Sequence, residues 1–272
     1  MKFFFTLLFL ATLSLDAKPL QIVAAENFYA GVAKQIAGSS ADVVSIMSNP
    51  NQDPHEFQSD AKTAKTIADA DIIIYNGIGY DAWMEKLLGA DKKSNRLVIN
   101  VAMLIGAKKG ANPHLWYDPK TMPALATKLA AVLKKPEAAM AFSASMQPLL
   151  EKIATLKTKT EGMKVTATEP VFGYMASALG FQMLNEKYQW AIMNDATPSF
   201  QQTVDVEKSL TTHEAKFLFQ NCQTMNPSTQ RLIALAKKSD IPVISVTETQ
   251  PASAQSYVDW MLSELRQLEE AL

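Results

Sequence analysis

Short runs of apolar, β-branched residues alternate along the chain with longer stretches in which apolar positions recur every three or four residues. Residues 21–25, 43–47, 71–75 and 96–100 read as strands, and residues 28–36, 59–68 and 81–88 between them as helices. A second series begins beyond residue 160, with strands over 164–167, 217–220 and 243–246 and helices near 172–179, 229–238 and 256–268. The last helix carries Tyr257, Met261, Leu265, Leu268 and Leu272, a stripe that should face a core. Strands alternating with helices predict parallel sheets covered on their faces, so the fold class is α/β, in two lobes.

The segment joining the two series is helical. Residues 119–133 read as a helix with Asp118 as its cap and Pro119 at its first position. Pro136 opens a second stretch to about residue 159, with Phe142, Met146, Leu149, Leu150, Ile153 and Leu156 at helical spacing. Such a connector is stiffer than a Gly/Ser linker and disfavours large hinge motion, although Pro148 should kink it. The expected organisation is a leader over 1–17, an N-terminal lobe over 18–134, a long rigid connecting helix over 135–160 and a C-terminal lobe over 161–272. No internal repeat or low-complexity segment interrupts it.

Composition narrows the function. Hydrophobic residues make up 48% of the 272, and 26 basic side chains balance 27 acidic ones to a net charge of -1. That is a globular protein without the electrostatic footprint of a nucleic-acid or anionic-membrane binder. Met1-Lys2 followed by the apolar run over 3–15 has the form of a secretory signal, too short to span a membrane, with cleavage expected after Ala17. No cysteine follows the run, so lipid attachment there is excluded and a soluble periplasmic protein is expected. The single cysteine, Cys222, cannot form an internal disulfide and should be a small buried hydrophobe.

Two of the three histidines, His55 and His114, stand directly behind a proline, which favours a stiff turn beside regular structure. Imidazole is the commonest protein metal ligand. In open α/β sheets ligands bind beyond the carboxyl ends of strands. His55 follows the strand over 43–47 and His114 the strand over 96–100, while Glu169 and Glu248 follow those over 164–167 and 243–246. A solvated turn, a helix cap or a surface carboxylate would explain any one of them. Four at strand ends, two per lobe, point instead to a metal site in the cleft between the lobes.

On these residues the chain resembles the metal-specific solute-binding proteins of bacterial ATP-binding-cassette transporters, which serve zinc, manganese or iron. The resemblance runs from about residue 20 to the C-terminus. Asp53-Pro54-His55-Glu56-Phe57 resembles the family's first ligand motif, and Asn112-Pro113-His114-Leu115-Trp116 with Asp118-Pro119 its second. Asn76-Gly77-Ile78-Gly79 through Trp83, and Phe172-Gly173-Tyr174, are similar to further family segments. Glu169 stands where members place histidine or glutamate, and Glu248 where aspartate is usual. The His-rich acidic loop of many zinc-specific members is replaced by the short segment over 105–111. The resemblance implies two α/β lobes bridged by a long rigid helix, and delivery of the ion to a membrane permease.

A ligand set of His55, His114, Glu169 and Glu248 contains no thiolate, which argues against copper(I) and iron–sulfur chemistry. Zinc fits if each carboxylate binds through one oxygen; carboxylates binding through both would suit manganese or ferrous iron. Zinc is the expected cargo, with manganese or iron as alternatives. No catalysis is expected, and a monomer needing no nucleic acid is the simplest form. The rivals are a secreted zinc hydrolase, against which stands the absence of a second histidine at the zinc-protease spacing after His55-Glu56, and a non-metal solute carrier or adhesin on the same fold. Gly77-Ile78-Gly79 lacks the third glycine of a dinucleotide site. His213 reads as a surface residue, Asn221 and Gln223 as structural with some scope for orienting a ligand, and Trp116 and Tyr117 as packing for the His114 loop.

Overall fold

The computed structural model describes residues 18–49, 57–90, 93 and 95–272. The N-terminal lobe runs β1 (Leu20–Glu26), α1 (Asn27–Ala37), β2 (Ala41–Met47), α2 (Ala61–Asp69), β3 (Ile72–Tyr75), α3 (Ala82–Ala90), β4 (Leu97–Asn100) and α4 (Val101–Leu104). Three helices follow: α5 (Thr121–Leu133), α6 (Pro136–Ser145) and α7 (Gln147–Thr160). The C-terminal lobe runs β5 (Lys164–Ala167), α8 (Gly173–Ala178), β6 (Gln182–Met183), α9 (Glu186–Met193), α10 (Phe200–Thr211), β7 (Leu218–Asn221), α11 (Pro227–Lys238), β8 (Val243–Val246) and α12 (Tyr257–Ala271).

Each lobe holds a four-stranded parallel sheet, and the strand order is the same in both: β2-β1-β3-β4 and β6-β5-β7-β8. The central strands are continuous apolar runs because helices cover both their faces. Ile22, Ile72, Ile73 and Ile74 are buried, whereas the edge strand β2 leaves Val44 exposed. The expected α/β class and its parallel sheets are present. One hydrophobic cluster extends through both lobes, from Phe28 and Trp116 to Phe172, Phe219 and Trp260. Among the described residues no helix is long and apolar enough to cross a membrane.

Several local expectations are corrected. The long connecting helix is divided at Met146 into α6 and α7, with Pro148 in the first turn of the second. Proline lacks an amide hydrogen, so it sits more cheaply at a helix start than inside a helix. α5 begins at Thr121, and Asp118 does not cap it but closes the preceding turn, its carboxylate accepting the Lys120 N–H at 3.0 Å. Cys222 is exposed, not buried. The second sheet also gains β6, two residues long, together with α9 and α10.

Candidate metal centre

In a sheet of order 2-1-3-4 the crossovers leave in opposite directions from the first and third strands, which opens a crevice at their carboxyl ends. Glu169 follows β5 and Asn221 ends β7, so both stand at this crevice in the C-terminal lobe; Glu248 stands two residues beyond β8. His114 arrives from the other lobe, on the segment between α4 and a 3₁₀ turn over Leu115–Tyr117. All four side chains are buried.

The tautomer of the neutral His114 ring follows from its neighbours. Asn112 Oδ1 accepts the His114 backbone N–H at 3.1 Å and lies 2.7 Å from its Nδ1, while Asn112 Nδ2 donates to the Pro170 carbonyl at 2.6 Å. With the amide oxygen thus facing the ring, the neutral tautomer is the one with the proton on Nδ1 and the lone pair on Nε2. That Nε2 is buried without a hydrogen-bond partner among the described residues. It lies 3.6 Å from Glu248 Oε2.

The two glutamates are joined by Asn221, whose Nδ2 donates to Glu169 Oε2 at 2.6 Å and to Glu248 Oε1 at 2.5 Å. Gln223 holds the Glu248 turn, its Oε1 accepting the amides of Glu248 at 2.5 Å and Thr249 at 3.1 Å. Tyr80 donates its hydroxyl to Glu248 Oε2 at 3.3 Å. Burial first, and then the charge on Glu248, push the Tyr80 hydroxyl well above its ordinary pKa, so it remains a donor.

Beneath the His114 loop is a second buried network. Asp81 accepts the Asn76 amide at 2.5 Å and the Gly77 amide at 2.8 Å, fixing a turn in which Gly77 has φ +82°. A side chain at Gly77 would meet Asn100 at 2.6 Å, so only glycine fits. Asn76 accepts the Tyr29 hydroxyl at 2.6 Å and donates to the Pro113 carbonyl at 2.9 Å, immediately before His114. Burial raises the Asp81 carboxyl to about 6 against the pull of those two amides. Glu26, fully buried beside it at the end of β1, is pushed well above the carboxylate range by burial and by the charge on Asp81.

The structure therefore brings His114 and Glu248 together directly, and Glu169 to Glu248 through Asn221. His55 lies outside the described residues. Among those residues no group of three or more His, Cys, Asp and Glu side chains could by itself hold a metal ion. His213 is exposed, on a turn ahead of β7, and Trp116 and Tyr117 are buried, the first with its ring centroid 5.3 Å from that of His114. Sequence reasoning gave no individual role to Asn112, Asn76, Tyr80, Asp81 and Glu26, although all but Glu26 fall in segments that resemble the family's. Asn112 left a further signal, as an Asx residue two positions before the ligand candidate it hydrogen-bonds.

Among proteins of known role, the chain is 28% identical to the metal ABC transporter substrate-binding lipoprotein SsaB of Streptococcus sanguinis, over 66% of this chain and 64% of that one. It is 26% identical to the manganese ABC transporter substrate-binding lipoprotein PsaA of Streptococcus pneumoniae, over 94% of this chain and 90% of that one. The periplasmic zinc-binding protein TroA of Treponema pallidum superposes with a TM-score of 0.75 at 16% identity, over 93% of this chain and 99% of that one, which shows a shared fold. The sequence model of the family described as zinc-uptake complex component A periplasmic, ZnuA, matches residues 22–271. The chain belongs to that family, whose members are metal-binding solute-binding proteins of ABC transporters and not enzymes.

Proposed function

We propose that this chain captures zinc in preference to manganese or ferrous iron, in the periplasm and as a monomer, and hands it to the permease of an ABC transporter. His55, His114, Glu169 and Glu248 are the ligands in this reading, and residues 1–17 are the export leader. The observation that carries it is His114 Nε2: a buried nitrogen with no hydrogen bond among the described residues and a carboxylate oxygen 3.6 Å away. A neutral protein interior leaves such an atom unsatisfied at a cost, and a cation shared with Glu248 satisfies it. The fit to a divalent cation rests on this donor chemistry. A set of imidazole and carboxylate without thiolate suits zinc, which also stands above manganese and iron(II) in the affinity order.

The ion enters as cargo, displacing the weak contacts that hold the site together without it. Asn112 and the Pro170 carbonyl keep the imidazole in its coordinating tautomer, and Gln223 keeps Glu248 on station. Protein purified from its native compartment should carry zinc and retain it against manganese. The His114→Ala variant should lose high-affinity binding in isothermal titration while its far-ultraviolet circular dichroism stays that of the parent. Retention of parental affinity by that variant would remove the basis of the assignment.

A further inference from the structure

Asn221 ends β7 and is buried between the two acids. Its amide cannot be reversed, because Oδ1 accepts the Gln223 N–H at 3.0 Å and Nδ2 must then face the carboxylates. Its own backbone amide is tied to Thr168 Oγ1 at 3.1 Å, which anchors it to the end of β5. Nδ2 lies 2.6 Å from Glu169 Oε2, 2.5 Å from Glu248 Oε1 and 3.1 Å from Thr224 Oγ1. An amide NH₂ has two hydrogens, and the two shortest contacts are those to the acids. Hydrogen bonds to ionised oxygens are the strong ones, so each carboxylate has one oxygen committed to Asn221. The other oxygen of Glu248 is the one that faces His114 Nε2.

We propose that Asn221 sets the coordination number of the site by holding one oxygen of each glutamate and thereby restricting both to single-oxygen binding. This rests on the metal reading above and deepens it. A carboxylate that binds through both oxygens must abandon its bond to the buried Nδ2, which is left with the longer contact to Thr224 Oγ1 and the other acid. Single-oxygen binding keeps the donor count low and matches the tetrahedral preference of zinc. Manganese, which takes six ligands in oxygen-rich sites, is correspondingly disfavoured. Asn221 does not touch the ion; it is a positioning residue that discriminates between ions by fixing which oxygens reach them. The selectivity is one of geometry.

Cobalt(II) in place of zinc reads coordination number directly, since four-coordinate cobalt absorbs strongly in the visible and higher-coordinate cobalt weakly. The purified parent protein loaded with cobalt should give the strong bands. Asn221→Ala should weaken them, and the preference for zinc over manganese in competition titrations should fall roughly 10- to 100-fold, the range for removing a group that orients a metal ligand. Asn221→Ser retains an acceptor for the Gln223 amide but cannot span both acids, and should behave in the same way if the alanine variant does not fold. A weakly absorbing parent complex, or variants with unchanged bands and unchanged ion preference, would overturn the proposal while leaving metal binding in place. A parent protein that binds none of zinc, manganese and cobalt would instead overturn the metal reading on which it stands.

Discussion

Gly173, at the start of α8, has no side chain because Asn112 occupies the space. A Cβ built there would stand 2.9 Å from Asn112 Nδ2, the atom that donates to the Pro170 carbonyl and so fixes the amide against His114. The Gly173 backbone is ordinary right-handed helix, so alanine meets no conformational penalty and gains up to about 1 kcal/mol of helix propensity. Gly173→Ala should therefore lower metal affinity by about tenfold through the displaced Asn112, with little net change in melting temperature because the lost Asn112 bonds offset the helix gain. Unchanged affinity would mean that Asn112 does not govern the ring. That His114, Glu169 and Glu248 would stand near one another was legible in the sequence, because each follows a strand and strand ends in α/β sheets line one crevice. Asn221 and Gln223 were visible but ranked no higher than structural, since an amide after a strand looks the same whether it meets water or two carboxylates. The burial of Glu26 and Asp81 was not legible, because an acid at a strand end or in a turn carries no mark of burial in the sequence.

At the scale of elements, α12 carries Glu264 inward to a buried set of donors. Tyr117 contacts it at 2.8 Å, Trp260 Nε1 donates at 2.9 Å and the Thr247 amide at 3.1 Å. Burial outweighs these bonds and raises the carboxyl to about 8 from an ordinary 4.5. The folded state thus keeps a proton between those limits that the unfolded chain releases. Its stabilisation is complete below the unfolded value and is lost as pH rises to the folded one, at up to about 1.4 kcal/mol per pH unit. Glu264→Gln, which cannot ionise, should flatten the fall in stability measured by urea denaturation from about pH 5 to about pH 8. A parallel, undiminished slope in the variant would show that Glu264 is not the proton's holder. The stripe that places this helix was plain in the sequence. The elements that escaped were those without such periodicity: β6 is two residues long, and α9 mixes apolar and polar positions. α10 did announce itself through the Ser199–Gln202 capping box, a signal in the sequence left unused.

Across the whole molecule, aromatic contacts run from one lobe into the other. Phe28 packs on Trp116 at 4.5 Å and on Trp260 at 5.9 Å between ring centroids, Tyr117 meets Phe172 at 5.6 Å, and Phe172 stacks on Phe219 at 4.4 Å. Buried hydrogen bonds cross with them, from Tyr257 to the Trp116 carbonyl and from Tyr117 to the Thr247 carbonyl, both at 2.7 Å. A shared core of this kind should melt in one calorimetric transition, shifted upward by zinc as a ligand of the folded state. The added stability should be about 2.7 kcal/mol when free zinc stands at 100 times its Kd. Two resolved transitions would show that the lobes are energetically separate.

That common core also decides how cargo can leave. A carrier whose halves are welded through their interior cannot discharge by gaping like a jaw, because parting them would expose Trp116, Trp260 and Phe172 to water. Movement confined to strand-end turns at the rim would leave that core closed and is the cheaper way to open the site.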